Sequence, residues 1–288
     1  MSFADACRSA VIGAMHRVPP VRGRGRVAAI INRHLLRLGA PPLCTVRMRR
    51  GHHLVLDTRV PSYLWAAYSG RYDEEEISEL LQHLPAGGVA LDVGANIGLY
   101  TIPLAVAAQA TGGRVIAFEP HPRNRARLIE NIGLNRLKAV VVVRPEGLSA
   151  ERRRAVLTER EDFAAGGETG NAAIEIADGQ DSRFSRVTID LAPLDELWPE
   201  LDCGRLDLIK VDIEGHEDSF LSGARTTVAR FRPAILTEVN RWFYRRRGVD
   251  FDKAIPSLLP SGYRAWYRGK PIELARAPEL SNVLFKPG

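Results

Sequence analysis

The segment LDVGANIGLYT, residues 91–101, constrains the fold of this chain more than any other part of its sequence. An apolar strand carries Asp92 near its end, a turn bounded by Gly94 and Gly98 follows, and a helical pattern comes next. Because glycine lacks a Cβ, such a turn lets a ligand approach the backbone at the carboxyl end of a parallel strand. The segment therefore predicts an α/β sheet with a ligand at this turn.

Strand and helix patterns alternate from residue 89 onward, which is typical of a parallel sheet with crossover helices. The predicted strands are 89–93, 114–118, 139–143, 207–212 and 234–239, and the predicted helices are 97–109, 121–134 and 217–229. Two further strands, 262–268 and 281–285, are joined by a loop too short for a crossover helix. We expect these two strands to be antiparallel.

Outside this alternation, the sequence predicts an N-terminal extension and one insertion. Apolar spacing predicts two short helices within 3–38, a hairpin over 44–57 around Gly51, and a helix over 73–84. A polar stretch over 150–186, with candidate strands at 154–158 and 171–177, should leave the sheet. We therefore divide the chain into a basic helical and hairpin extension, 1–72, and an α/β domain, 73–288.

Positive charge is concentrated at the start of the chain. Residues 1–50 contain ten arginines and one acid, so the other residues carry 30 basic and 33 acidic side chains. The cluster of Arg22, Arg24 and Arg26 suits peripheral contact with an anionic membrane, a phosphorylated substrate or nucleic acid, whereas a solvated face is the alternative. No apolar run approaches the ~20 residues of a membrane span, and the N-terminus is unlike a signal peptide, so we expect a cytoplasmic protein.

A nucleoside ligand fits the glycine turn better than a dinucleotide does. Dinucleotide binding needs G-x-G-x-x-G, but Asn96 occupies the position two after Gly94. Glu119 ends the next strand, where a carboxylate can accept hydrogen bonds from both ribose hydroxyls. The alternative is a purely structural turn with Glu119 as a carboxylate before a helix.

The fourth strand runs into LIKVDIEGHED, residues 208–218, which concentrates charge at a strand end. Lys210 and Asp212 share one face of the strand, and Glu214 follows if the chain stays extended. A buried ammonium needs a partner, and Asp212 is the obvious one. A structural ion pair is one interpretation, and a carboxylate of Asp212 or Glu214 that accepts a substrate proton is the other.

Hard oxygen ligands also occur after the fifth strand. Glu238 and Asn240, in LTEVN, together with Asp212, are side chains of the kind that bind Mg²⁺. The sequence thus suggests a magnesium site from these three residues.

In combination and order, DVGANIG, FEP, IKVDIEG and SNVLF resemble the FkbM-type methyltransferases over residues 85–286. The resemblance implies a Rossmann-like class I methyltransferase sheet, seven-stranded and mostly parallel with an antiparallel C-terminal strand. It also implies S-adenosylmethionine as donor and O-methylation of a sugar, polyketide or similar small-molecule or glycan hydroxyl.

Carried over by position, the resemblance assigns roles to individual residues. Asp92, Gly94, Asn96 and Gly98 correspond to the cofactor loop, and Glu119 corresponds to the ribose ligand. The acceptor-side motif, residues 210–215, contains the candidate catalytic residues Lys210, Asp212 and Glu214.

Three rival functions remain. A nucleic-acid methyltransferase suits the basic N-terminus, but base N-methyltransferases usually carry an Asn/Asp-Pro-Pro-aromatic motif where this chain has DIEG, so we expect no nucleic-acid partner. A nicotinamide-dependent oxidoreductase is disfavoured by Asn96. A non-enzymatic binding module does not need Asp212 beside an intact glycine turn.

Overall fold

The computed structural model describes residues 3–19, 22–160, 173–174 and 184–288. Its helices are α1 (Phe3–Arg17), α2 (Arg24–Arg37), α3 (Pro61–Ser69), α4 (Glu74–Gln82), α5 (Thr101–Thr111), α6 (Pro122–Leu134), α7 (Leu194–Leu197), α8 (Glu217–Ser222), α9 (Arg225–Phe231), α10 (Arg241–Arg246) and α11 (Phe251–Leu258). Its strands are β1 (Leu43–Arg47), β2 (His53–Asp57), β3 (Val89–Val93), β4 (Arg114–Phe118), β5 (Val141–Arg144), β6 (Gly147–Leu148), β7 (Arg153–Arg160), β8 (Ala173–Ile174), β9 (Phe184–Ala192), β10 (Leu208–Val211), β11 (Ala234–Asn240), β12 (Tyr263–Tyr267), β13 (Lys270–Pro271) and β14 (Leu280–Pro287).

The main sheet has eight strands in the order β13-β12-β14-β11-β10-β3-β4-β5. The five strands from β11 to β5 are parallel, and β14 runs antiparallel to both β11 and β12. The predicted Rossmann-like sheet with an antiparallel C-terminal strand is thus confirmed. The two-residue strand β13 extends the predicted seven strands to eight at one edge.

The central strands are apolar on both sides because each is covered by helices. Every residue of β3 and of β10 is buried, as expected for parallel strands packed on both faces. In the register of these neighbours, Asp92 lies directly beside Lys210. Two charged side chains therefore meet inside an apolar sheet, immediately below its carboxyl edge.

Two helices differ from their predicted ranges: one begins later, and the other is divided in two. The helix predicted from residue 97 begins at Thr101, because the preceding residues form the glycine turn. The helix predicted over 217–229 divides into α8 and α9 around Gly223, where a Cβ would lie 2.0 Å from the carbonyl oxygen of Ser149. This close approach of two backbones requires glycine at the break between α8 and α9.

The insertion forms a small second sheet in the order β6-β9-β7-β8. The strand predicted at 154–158 lies within β7, which pairs antiparallel with β9. Of the strand predicted at 171–177, only Ala173–Ile174 is observed, and the rest lies outside the described residues.

The N-terminal extension packs against the main sheet's helices through one buried side-chain amide of α6, that of Asn131. The hairpin predicted around Gly51 is confirmed as β1 and β2. Asn131 accepts a hydrogen bond from the backbone N–H of Val55 at 2.8 Å and donates one to the carbonyl oxygen of Ile97 at 2.9 Å. One side chain thus joins the hairpin to the glycine turn.

The prediction of a basic surface cluster is wrong for Arg24, its central member. Arg24 is 6% exposed, and its guanidinium donates to the carbonyl oxygens of Met15, Val18 and Tyr68. Arg22 and Arg26 are exposed, so the surface carries two of the three predicted charges. In the described part of the chain, no helix is long and apolar enough to cross a bilayer.

Candidate functional site

The turn after β3 is held in a conformation that selects its residues. Gly94, Asn96 and Gly98 have φ angles of 76°, 51° and 95°, a left-handed region that glycine enters freely and asparagine tolerates. A Cβ on Gly94 would lie 2.0 Å from the carbonyl oxygen of Asp212. Glycine is therefore required for the turn to pack against the segment that follows β10.

Glu119 joins this turn to the start of α6. Its Oε2 atom accepts the backbone N–H of Asn96 at 2.7 Å, and its Oε1 atom accepts that of His121 at 2.8 Å. Burial raises the pKa of Glu119 to about 7, although both hydrogen bonds oppose the rise. Each oxygen keeps a further lone pair, so the carboxylate can still accept hydrogen bonds from a ligand.

A cavity with about 1050 Å³ of open space lies at the carboxyl edge of the sheet. It brings together most of the predicted site residues, namely Gly94, Asn96, Glu119, Lys210, Asp212 and Glu214. Asp92 is fully buried below it. The side chain of Leu128 occupies the space that a Cβ on Gly98 would need, so Gly98 allows the turn to pack closely.

Lys210 sits between two carboxylates. Its Nζ atom is 3.6 Å from Oδ1 of Asp92 and 3.6 Å from Oδ2 of Asp212, and it donates to the carbonyl oxygen of Gly94 at 3.3 Å. Burial alone would lower the pKa of Lys210, but Asp212 and Asp92 raise it above its ordinary value. The predicted pairing with Asp212 is confirmed, and Asp92 is a second partner that follows from the sheet register.

Glu214 reaches the cavity from a turn rather than from an extended strand. The strand ends at Val211, and Glu214 has a φ of 54°, so the expected extended continuation is wrong. Burial, with Asp212 and Glu238 nearby, raises the pKa of Glu214 to about 10. The Glu214 carboxyl is therefore protonated near neutral pH, whereas the Asp212 side chain is 38% exposed.

The magnesium site predicted from Asp212, Glu238 and Asn240 is not supported. Of the three, Asp212 alone lines the cavity. Burial and the charge of Asp212 raise the pKa of Glu238 to about 8, which disfavours the ionised form that a metal ligand needs. Among the described residues, no group of three or more His, Cys, Asp or Glu side chains is arranged to hold a metal.

Several cavity residues carried no recognised signal in the sequence. Tyr72 and Tyr100 line the cavity, and the Tyr100 hydroxyl donates to Oδ2 of Asp73 at 2.8 Å. Leu157 of β7 and Leu191 of β9 supply an apolar wall. Leu157 and Leu191 belong to the small second sheet, whose position over the cavity depends on tertiary packing rather than on a local motif.

The comparisons with known proteins agree on one family. The family described as the methyltransferase FkbM domain matches residues 92–265, a range that contains every predicted site residue. AMB antimetabolite synthetase AmbE of Pseudomonas aeruginosa is 31% identical over 182 residues, covering 53% of this chain and 8% of that protein. Hexuronic acid methyltransferase AglP of Haloferax volcanii is 30% identical over 160 residues, covering 56% of this chain and 59% of that protein.

Among solved structures, the methyltransferase FkbM of Methylobacillus flagellatus KT aligns with a TM-score of 0.46 and 19% identity, covering 81% of this chain and 56% of that one. The chain spans less than two thirds of the length of both curated relatives.

Proposed function

Because the chain belongs to the FkbM methyltransferase family, we propose that it transfers the methyl group of S-adenosylmethionine to a hydroxyl of a sugar or another small natural-product acceptor. One observation carries the proposal: the cavity joins the glycine turn and Glu119 to the Lys210–Asp212 pair. The similarity to a hexuronic acid methyltransferase favours a sugar acceptor.

The residues of the cavity fit this donor. S-adenosylmethionine supplies a methyl group on a positively charged sulfur and an adenosine whose ribose hydroxyls donate hydrogen bonds. Glu119 provides the acceptor for those hydroxyls, beside a backbone turn that only glycine permits at Gly94. Asp212 places a carboxylate at the same cavity, where it complements a cationic group.

Asp212 would accept the proton of the acceptor hydroxyl as the hydroxyl oxygen bonds to the methyl carbon. The electron pair of the breaking carbon–sulfur bond stays with sulfur, so the products are a methyl ether and S-adenosylhomocysteine. Lys210 positions Asp212 and the carbonyl of Gly94 through its contacts with both. Holding the two reactants in line is the larger part of the catalysis that we propose.

Binding of S-adenosylhomocysteine to the purified protein tests the donor site. We expect micromolar affinity for the wild type in isothermal titration, weakened about 10- to 100-fold by Glu119→Ala, which removes the charged acceptor of the ribose hydroxyls. Glu279→Ala is the matched control, because that carboxylate is exposed and paired with Arg245. A wild-type protein that does not bind S-adenosylhomocysteine would refute the proposal.

The same binding should depend on pH. The pKa of Glu119 is about 7, and hydroxyl donors favour the ionised carboxylate, so affinity should rise by about tenfold from pH 6 to pH 8 as the proton leaves. Glu119→Gln, which does not titrate, should flatten this dependence in the same titration series. An equal pH dependence in wild type and Glu119→Gln would assign it to another group.

A further inference from the structure

A second cavity, with about 710 Å³ of open space, lies between the N-terminal extension and the methyltransferase core. The extension contributes Val55 and Asp57 of β2, Arg59, and Tyr63 of α3. The core contributes Ile97 of the glycine turn and Arg123, Asn124 and Arg127 of α6. Clefts between two structural units of this kind are common positions for ligands.

Positive charge dominates the polar lining of this cavity. Three guanidinium groups, from Arg59, Arg123 and Arg127, face one carboxylate, Asp57. Asp57 is already engaged by Arg59, whose Nη2 atom lies 2.6 Å from Oδ2 and whose Nε atom lies 2.9 Å from Oδ1. Arg127 contacts Glu130, one turn along α6 and half exposed to solvent. The three arginines still exceed these two carboxylates by one positive charge, which favours an anion.

Most of the other lining residues are apolar, which favours an organic anion over a bare ion. Val55 is 8% exposed, Val60 is 1% exposed and Ile97 is 4% exposed, and all three line the cavity. Guanidinium groups bind phosphate and carboxylate oxygens through paired hydrogen bonds. Arginines beside an apolar wall suit a small organic molecule that carries a phosphate or a carboxylate.

The cavity adjoins the donor site through two direct links. Asn124 lines both cavities. The hydroxyl of Tyr63, in the second cavity, donates to Oδ1 of Asn96 in the glycine turn at 3.0 Å. A ligand that repositions Tyr63 therefore changes the hydrogen bonding of the turn.

We propose that this second cavity binds an organic phosphate or carboxylate, and that the Tyr63–Asn96 hydrogen bond couples its occupation to donor binding. The anion site stands independently of the proposed function, whereas its coupling to donor binding rests on that function. The ligand is either an anionic group of the methyl acceptor or a separate effector, which share this chemistry.

Isothermal titration with glucose 6-phosphate, glucuronate, inorganic phosphate and uncharged glucose tests the anion site in the full chain. We expect glucose 6-phosphate or glucuronate to bind at least tenfold more tightly than glucose. Arg123→Gln and Arg127→Gln should each weaken that binding about tenfold or more. Arg225→Gln, at an exposed arginine of α9 far along the chain, is the control for a general loss of charge.

Equal binding of the charged and uncharged sugars would overturn the anion site, as would an equal effect of Arg225→Gln and Arg127→Gln. Inorganic phosphate that binds as tightly as the sugar phosphate would overturn the preference for an organic anion that the apolar lining predicts. Methyl transfer to the bound sugar phosphate or glucuronate would instead identify the acceptor.

The coupling is tested by titrating S-adenosylhomocysteine with and without saturating glucose 6-phosphate. The wild type should show at least a threefold change in affinity for S-adenosylhomocysteine, and Tyr63→Phe, which keeps the ring and loses the donor, should show none. Loss of S-adenosylhomocysteine binding itself would count against the donor site, whereas unaltered affinity in the wild type would overturn the coupling alone.

Discussion

Asp212→Asn is expected to lower kcat for methyl transfer by about 100- to 10,000-fold, the range that a positioned general base contributes. The asparagine keeps the size of the side chain beside Lys210 but has no basic oxygen to accept the hydroxyl proton. Because Asp212 does not contact the ribose-binding carboxylate in the proposed site, affinity for S-adenosylhomocysteine should change by less than about threefold. The loss should thus fall on the chemical step.

The measurement is transfer of labelled methyl from S-adenosylmethionine to a panel of hydroxylated sugars, with S-adenosylhomocysteine affinity measured in parallel. Glu214→Gln is the informative comparison, since the pKa of Glu214 is about 10 and its carboxyl already carries a proton at neutral pH. Its effect on kcat should be clearly smaller. A larger loss in Glu214→Gln than in Asp212→Asn would reassign the base to Glu214.

Lys210→Met is expected to reduce the free energy of unfolding by about 3–5 kcal/mol, the usual result of breaking a buried ion pair. Lys210 is 7% exposed and its partner Asp92 is fully buried. Methionine fills a similar volume but leaves the Asp92 carboxylate without its counter-charge, with one hydrogen bond from Thr101 remaining. The destabilisation should therefore come from the stranded carboxylate rather than from a packing defect.

Urea denaturation followed by circular dichroism measures this loss, and a double variant identifies its cause. Asp92→Asn in the Lys210→Met background removes the stranded charge, so it should restore most of the lost stability. If the double variant were less stable than Lys210→Met alone, the stranded charge would not be the cause, and packing around residue 210 would be.

The sequence allowed the sheet to be predicted closely because its central strands are buried on both sides. The predicted bounds of β3 and β4 coincide with those observed, since a continuous apolar run ended by a turn shows where a buried strand begins and ends. The glycine turn and Glu119 were predictable for a similar reason, as both depend on local chain geometry after a strand.

Features that depend on tertiary contacts were missed. Asp92 as the second partner of Lys210 requires the register between β3 and β10, which are more than a hundred residues apart. The position of Arg24 inside the extension depends on carbonyl oxygens of α1 and α3. Periodicity shows which face of an element is apolar, but it does not show which distant backbone groups a charged side chain will meet.

Glu119 limits how the proposed donor site can be redesigned. Its two oxygens already hold the amides of Asn96 and His121, so the carboxylate proposed to recognise the ribose is also part of the scaffold that shapes the pocket. A designer who exchanges Glu119 to admit a donor with an altered sugar would loosen the turn at the same time. Selectivity for the donor and the shape of its binding loop are thus properties of one side chain, and they are best changed together, with a replacement hydrogen-bond acceptor supplied for both amides.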